Sequence, residues 1–453
     1  MKKNLRYHFS TTQIIMLSFL LLIGVGSVLL AMPFSAADGK ALPYIDALFT
    51  ATTSVCVTGL VTVSTMSAWS IWGQMIILLL IQAGGLGVIT IVSMFMINLH
   101  KKLGLGDRML IQAAFNLNTM SGLVKFVKKV VLGTLIVEGA GALLYMLVFV
   151  PEFGVRGIWI SIFNAVSAFC NAGMDVLSEN SLCEYALNPM VNIVTCVLII
   201  LGGIGYIVWW DVVRVLRNLK KQGLRCFKGL TLQSKVAISM TVFLILGGAV
   251  LIFLFEYHNP LTMAGTSVLD KIQLSLFQSI TTRTAGFATI PQQNLTNASS
   301  IISLLLMFIG GSPAGTAGGI KTVTMAVLVA SALASIRNKN EVSFFNRTIP
   351  KEAISKSVAI MSMSFATAFV ATVLLSAVTD AAALDVMYET VSATATVGLS
   401  RGLTASLNIW GKIIVIVTMY LGRIGPISLA IAFSMRKEKA NIINNPIEDI
   451  IVG

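Results

Sequence analysis

Four short segments of this 453-residue chain end in a glycine at nearly equal intervals: Val57-Thr58-Gly59, Asn171-Ala172-Gly173, Thr284-Ala285-Gly286 and Thr396-Val397-Gly398. The intervals from one glycine to the next are 114, 113 and 112. No triplet contains a carboxylate, thiol or imidazole, so the chemistry open to them is that of backbone carbonyl oxygens. Glycine lets backbones approach closely and take angles that a Cβ would forbid. Carbonyl oxygens gathered around one axis replace the hydration shell of a cation. Neutral ligands suit a monovalent ion, whereas a divalent ion usually draws carboxylates.

A second glycine cluster follows each triplet. These read Gly84-Gly85-Leu86-Gly87, Gly202-Gly203-Ile204-Gly205, Gly310-Gly311-Ser312-Pro313 and Gly422-Arg423-Ile424-Gly425-Pro426, at offsets of 25, 29, 24 and 24 from the triplet glycine. The bland reading of these clusters is that they let helices pack closely, as small-residue motifs do. The third cluster opens the longest such stretch, 310–322, with Gly310, Gly311, Ser312, Pro313, Gly315, Gly318, Gly319 and Lys321. Two glycine pairs and a proline cannot hold a straight helix, so an irregular loop at membrane depth is expected. It is no Walker A loop, because Ile320 stands where glycine must precede the lysine. Lys321 would either seal this loop or lie near an ion path. Arg423 reads as a plug or gate, or as a cation paired with a carboxylate or carbonyls. Arg283, just before the third triplet, reads as a brace for its loop. Glu138 reads as a buried hydrogen-bonded acid, with a proton-coupled carrier of a small solute as the competing possibility. Asp46, Asp175, Glu179, Asp385 and Glu389 are placed to concentrate cations at an outer mouth.

The elements that must position these residues are membrane helices. Hydrophobic residues make up 56% of the chain and charged residues 11%. Soluble domains carry about 25% charged residues. Too few polar groups exist here to cover a water-facing surface, which excludes a soluble enzyme. Five cysteines without a CxxC and three histidines leave little material for a metal site or a nucleophilic triad. Spans are expected over about 12–33, 70–99, 130–150, 189–210, 236–255, 299–334, 354–378 and 409–434, about 20 residues being needed to cross. Between them lie apolar stretches near 44–56, 157–170, 270–282 and 384–396, too short to span and suited to re-entrant half-helices. Phe49, Phe163, Phe277 and Tyr388 precede the triplet glycines at offsets of 10, 10, 9 and 10. The chain is thus an all-α integral membrane protein of four parallel helix–re-entrant loop–helix repeats. It has eight transmembrane helices around a pseudo-fourfold pore. The units are 1–100, 101–220, 221–340 (containing the loop 310–322) and 341–453 with a cytoplasmic C-terminal tail. The net charge of +13 is unevenly placed: alternate connecting segments carry +17 and the others −6. That is the positive-inside pattern, with both termini cytoplasmic, and it excludes nucleic acid as the partner of the basic residues.

Four repeats with one loop glycine each, together with the stretches GGSPAGTAGGIKT and GRIGP, resemble the Trk/Ktr/HKT superfamily of potassium transporters, most closely the bacterial Ktr-type membrane subunit. The resemblance implies potassium uptake across the bacterial cell membrane, often sodium-dependent or sodium-coupled, without any organic cofactor in this chain. It implies a selectivity filter built on Gly59, Gly173, Gly286 and Gly398, a gating loop at 310–322 and a constriction at Arg423. Plant relatives with serine in the first loop favour sodium, so four glycines imply potassium. It also implies a homodimer, one pore per protomer, docked on cytosolic nucleotide-binding RCK subunits. Because the triplets are not the TVGYG of tetrameric channels, a less strict selectivity is expected. A non-transporting membrane assembly, the remaining possibility, leaves the four loops unexplained.

Overall fold

The structure is a computed structural model that describes residues 10–98, 104–114, 122–218, 223–339 and 341–425. The C-terminal tail, the last part of the expected span 409–434, Pro426 and most of the first and last basic segments lie outside the described residues.

Four long helices, Thr11–Leu30, Leu123–Phe153, Leu232–Glu256 and Lys351–Ser376, are apolar and long enough to cross a membrane. Each is the outer helix of one repeat. Their outward faces expose large apolar side chains such as Leu21, Leu135, Phe243 and Phe365. Such surface is stable only against hydrocarbon or another protein. Polar caps start two of them: Ser10 and Gln13 form a capping box at the first, and Thr231 caps the third.

Half-helices follow as the expected short stretches require: Tyr44–Cys56, Val155–Cys170, Val268–Thr281 and Ala383–Ala395. At about 1.5 Å per residue each covers about 20–24 Å, less than the hydrocarbon thickness. Each packs on the outer helix of its own repeat. The aromatic landmarks Phe49, Phe163, Phe277 and Tyr388 are all buried there. Tyr388 differs because its hydroxyl has a partner, donating to Gln292 Oε1 at 2.8 Å.

The inner helices depart from the expected straight spans. The 70–99 stretch is a pair, Ile71–Leu86 and Val88–Asn98, bent by 96°, and 189–210 is Pro189–Ile204 and Tyr206–Leu216, bent by 99°. The third is Asn297–Phe308 and Thr322–Ile336 with non-helical chain between, as expected for 310–322, and the fourth is Ile409–Ile424. Hydropathy registers only that a stretch is apolar, and a break that the protein itself covers leaves no trace in it. The bends fall on the last glycine of the first two clusters, Gly87 and Gly205, with φ of 84° and 94°, and the fourth inner helix ends at Gly425 with φ of 87°. The first glycine of each cluster serves packing instead. A Cβ at Gly84, Gly202 or Gly422 would strike the carbonyl oxygen of Val55, Phe169 or Thr394, each at the same offset before its triplet glycine. The close packing expected of the clusters is therefore realised by their first glycines, whereas the bends at Gly87 and Gly205 were not expected.

The repeats close in a ring. Each inner helix packs on the half-helix of the next repeat, and the fourth packs on the first half-helix. The seam between the fourth and first repeats carries an ion pair, Lys412 Nζ to Asp46 Oδ1 at 2.6 Å. A hairpin of two-residue strands, Ser343–Phe344 with Arg347–Thr348, is the only sheet among the described residues.

Candidate functional site

The half-helices end in a way that sequence reading missed. The first residue of every triplet is left-handed: Val57, Asn171, Thr284 and Thr396 have φ of 54°, 60°, 65° and 51°. A left-handed conformation costs an ordinary residue about 1–2 kcal/mol and is rarer still for β-branched side chains such as Val57, Thr284 and Thr396. Repetition of that strain at one position in four copies marks a constrained site. In repeats 1, 2 and 4 the turn closes by a bond from the next residue back into the helix. Thr58 N to Thr53 O, Ala172 N to Ser167 O and Val397 N to Ser392 O are all 2.8 Å. Repeat 3 differs: Thr282 stays right-handed and Ala285 N reaches Thr281 O at 3.0 Å.

A second device was also missed. Gly59 N donates to Thr53 Oγ1 at 2.9 Å, Gly398 N to Ser392 Oγ at 3.0 Å, and Met174 N to Ser167 Oγ at 3.1 Å. The signal was present as a hydroxyl at a fixed offset of six before the glycine, with Ile280 as the exception in repeat 3. There Thr281 Oγ1 donates to Phe287 O instead, at 2.5 Å. These bonds turn the amides of the segment into the protein and hold the strained turn.

The four triplets meet at one point. A Cβ on Gly59 would strike the Ala172 carbonyl oxygen, and one on Gly398 would strike that of Thr58. One on Gly173 would lie 2.6 Å from Ala285 O, and one on Gly286 would lie 2.6 Å from Val397 O. Each glycine thus faces the carbonyl of the middle residue in the next triplet, in the order 1, 2, 3, 4 and back to 1. All four glycines line a cavity of about 290 Å³, together with Asp175, Glu179, Gln292 and Thr404.

A second cavity of about 310 Å³ sits at the inner-helix breaks, lined by Gly84, Tyr206, Gly318, Lys321 and Arg423 among others. The irregular segment borders it and is pinned from several sides. Ser312 N donates to Gly203 O at 2.8 Å, Thr316 N to Gly202 O at 3.1 Å, and Tyr206 N to Ala314 O at 2.9 Å. Gly311 N reaches Gly318 O at 3.3 Å, and the Ser312 and Thr322 hydroxyls lie 2.8 Å apart across the loop. Close approach fixes the small residues. A Cβ at Gly315 would sit 2.8 Å from Gly202 O, one at Gly205 would strike Pro313 O, and Gly310 and Gly319 face each other's backbone.

The three cations expected at membrane depth all bond to carbonyls. Arg423 donates from Nη1 to Thr316 O and from Nη2 to Gly84 O, both at 2.6 Å. It therefore ties the loop to the first inner helix while bordering the cavity. Lys321 Nζ donates to Ala317 O at 2.6 Å and closes its own loop. Arg283 reaches Gly310 O at 3.4 Å and Thr241 Oγ1 at 3.4 Å, bracing the third triplet against the loop.

The outer acids do not act as one group. Asp46 is paired with Lys412, Asp385 with Arg401 at 2.7 Å, and Glu389 is buried beneath the hydroxyls of Ser400 and Thr404. The pairing of Asp46 with Lys412 across the seam was invisible in the sequence, where the partners stand 366 residues apart. Asp175 and Glu179 do line the first cavity. Burial pushes the Asp175 carboxyl up to about 6, opposed by the amides of Leu177 and Ser178 that donate to it. Glu138 is buried, accepts from Gln82 Nε2 at 3.1 Å, and has Cys170 Sγ at 3.8 Å. It lines neither cavity. Among the described residues no group of His, Cys, Asp and Glu could hold a metal ion.

Comparison with known proteins bears on the same architecture. The chain is 37% identical to the potassium/sodium uptake protein NtpJ of Enterococcus hirae, over 100% of this chain and 99% of that one. It is 38% identical to the Ktr system potassium uptake protein B of Bacillus subtilis, over 98% of this chain and 97% of that one. Among solved structures, the potassium transporter TrkH from Vibrio parahaemolyticus superposes with a TM-score of 0.75 at 17% identity, covering 96% of this chain and 87% of that one. This last match supports the fold. A family model described as TrkH, cation transport protein, matches residues 2–444. A ring of four half-helices inside apolar spans and full-length relatedness agree: this multi-pass membrane chain is no enzyme and belongs to the TrkH family of cation transport proteins.

Proposed function

We propose that the protein takes up potassium ions across the bacterial cell membrane through the axis of its four triplets. The observation that carries this reading is the closed ring in which each glycine faces the carbonyl of the next repeat. The carbonyls of Thr58, Ala172, Ala285 and Val397, with their triplet neighbours, form the selectivity filter, and the half-helix C-termini add partial negative charge there. The segment 310–322 and Arg423 form the gate between the filter and the cytoplasm. Sodium acts as activator or co-transported ion, in keeping with a relative named for both ions. Relatives named as parts of a Ktr system support association with other Ktr subunits, and we infer a homodimer docked on RCK-type nucleotide-binding subunits. The units 1–100, 101–220, 221–340 and 341–453 are the four repeats, with both termini cytoplasmic.

Uptake of rubidium into potassium-loaded liposomes holding the purified chain, with sodium or potassium as competitor, tests the reading. Potassium is expected to compete far better than sodium. A folded protein that moves neither ion, alone or with an RCK-type subunit added, overturns it.

The outer cavity gives a pH dependence with a defined sign. Asp175 is charged above about pH 6 and neutral below it. Its charge attracts cations, so the apparent KM for potassium rises as external pH falls from above that value to below it. Loss of this one charge, felt by an ion in the water-accessible cavity at high effective dielectric, corresponds to about two- to threefold. D175N is expected to show the raised KM on both sides of the transition, and an unchanged pH step in D175N discards the assignment.

Glu138 offers the test of the proton-coupled alternative. Gln retains the shape and can keep the bond to Gln82, so E138Q is expected to keep at least about half of the uptake rate, because the change is confined to one hydrogen bond away from both cavities. Abolished uptake in folded E138Q, with the loop glycines tolerant of change, favours the carrier.

A further inference from the structure

Thr316 is a small residue in the middle of the irregular segment, yet every polar atom it has is engaged and it is fully buried. Its amide donates to Gly202 O at 3.1 Å, and its carbonyl accepts from Arg423 Nη1 at 2.6 Å. Its hydroxyl lies 3.0 Å from Phe169 O and 3.0 Å from Asn171 Oδ1. Phe169 closes the last turn of the second half-helix, and Asn171 is the left-handed residue of the second triplet. Gly202 leaves the room for this meeting: a Cβ there would lie 2.7 Å from Asn171 Oδ1 and 2.8 Å from Thr316 Oγ1.

A hydroxyl has one proton and cannot donate to two acceptors at once. The amide of Asn171 resolves this. Its oxygen and nitrogen have nearly the same shape, and Nδ2 as placed has no partner in the protein. Turned over, Nδ2 donates to Thr316 Oγ1, while Thr316 donates to Phe169 O. Both hydroxyl bonds then form, each with one proton.

Among the four left-handed residues only Asn171 carries an amide that reaches the irregular segment in this way. Its neighbour Ala172 supplies the carbonyl that faces Gly59. The segment cannot leave its seat without breaking the bonds of Thr316 to Phe169 and Asn171. We propose that Thr316 is a specificity-determining positioning residue, which locks Asn171 and thereby the Ala172 carbonyl in register, so that ion preference depends on whether the segment 310–322 is seated. This rests on the reading of the triplets as filter and of the segment as gate.

The test uses the full chain in liposomes, measuring rubidium uptake with potassium and sodium as competitors. T316V keeps the shape and loses the hydroxyl; T316S keeps the hydroxyl. T316V is expected to lower the potassium-over-sodium preference about fivefold, the effect of one neutral hydrogen bond, while T316S retains it. N171G removes the amide without straining a left-handed position, and is expected to cause a similar loss. T316V combined with N171G is expected to lose no more than either alone. T316V that changes uptake rate with unchanged preference overturns the proposal, as does a double variant whose losses multiply. If T316V does not fold, N171G alone decides, because unchanged preference there has the same meaning. G286S in the same vesicles separates the two levels. If it also leaves preference unchanged, the filter reading itself fails; if it alters preference while T316V does not, only this coupling fails.

Discussion

G286S is expected to lower the preference for potassium over sodium by at least about tenfold, the consequence of a shift of about 1.4 kcal/mol between the two ions. Three effects act in the same direction. Gly286 has φ of 80°, where an L-residue is strained. Its new Cβ would lie 2.6 Å from Val397 O and 3.0 Å from Gly173 Cα, so the neighbouring repeats must move apart by several tenths of an ångström. A serine hydroxyl then adds an acceptor able to serve a smaller, more strongly hydrated ion. Potassium discrimination depends on the number and placement of the carbonyl oxygens, and both change together. The measurement is competition of potassium and sodium against rubidium entry. Equivalent substitutions at Gly59, Gly173 and Gly398 are expected to act alike, because each faces a carbonyl of the next repeat. Unchanged preference in all four folded variants removes the filter from these residues.

R423A is expected to raise the initial rate of rubidium uptake at least about tenfold. The guanidinium makes two bonds of 2.6 Å to backbone carbonyls, one on the irregular segment and one on the first inner helix. Hydrogen bonds to a charged group contribute about 1.5–3 kcal/mol each, and losing both shifts a seated–unseated equilibrium by one to several orders of magnitude. The same change removes a cation bordering the inner cavity, which lowers the barrier to a passing cation. R423K is expected to lie between, because an ammonium is a point donor and cannot bridge both carbonyls as the planar fork does. A folded R423A with the uptake rate of the parent chain or less contradicts the gate.

These expectations rest on two kinds of knowledge. The regular spacing of Gly59, Gly173, Gly286 and Gly398 and of the aromatic landmarks was enough to read a fourfold repeat. A repeat of this length needs no tertiary information to be seen. The half-helices fell close to their expected ends, because a short apolar stretch followed by glycine has few alternatives in a membrane. The irregular nature of 310–322 was equally legible, since two glycine pairs and a proline oppose a helix on local grounds alone.

The bends at Gly87 and Gly205 were not legible, because an apolar run looks the same whether it is straight or turned by nearly a right angle. The strained residues Val57, Thr284 and Thr396 were missed for the opposite reason. Local propensity argues against a left-handed β-branched residue, and it is held by the bonds that Thr53 and Ser392 accept from the amides of Gly59 and Gly398 and that Thr281 donates to Phe287 O. Asp46 and Lys412 stand 366 residues apart, so nothing local announces that they neutralise each other.

Composition, hydropathy and spacing by themselves determined that this is a membrane protein of four repeats, with carbonyl oxygens as the acceptor groups common to its four triplets. Those are properties of short windows, where covalent neighbours and solvent decide the outcome. The tertiary structure alone decided which glycine faces which carbonyl, that Arg423 spans Thr316 and Gly84, and that Thr316 meets Asn171. Such contacts join residues far apart in the chain, and they exist only once the fourth inner helix has packed on the first half-helix and closed the ring.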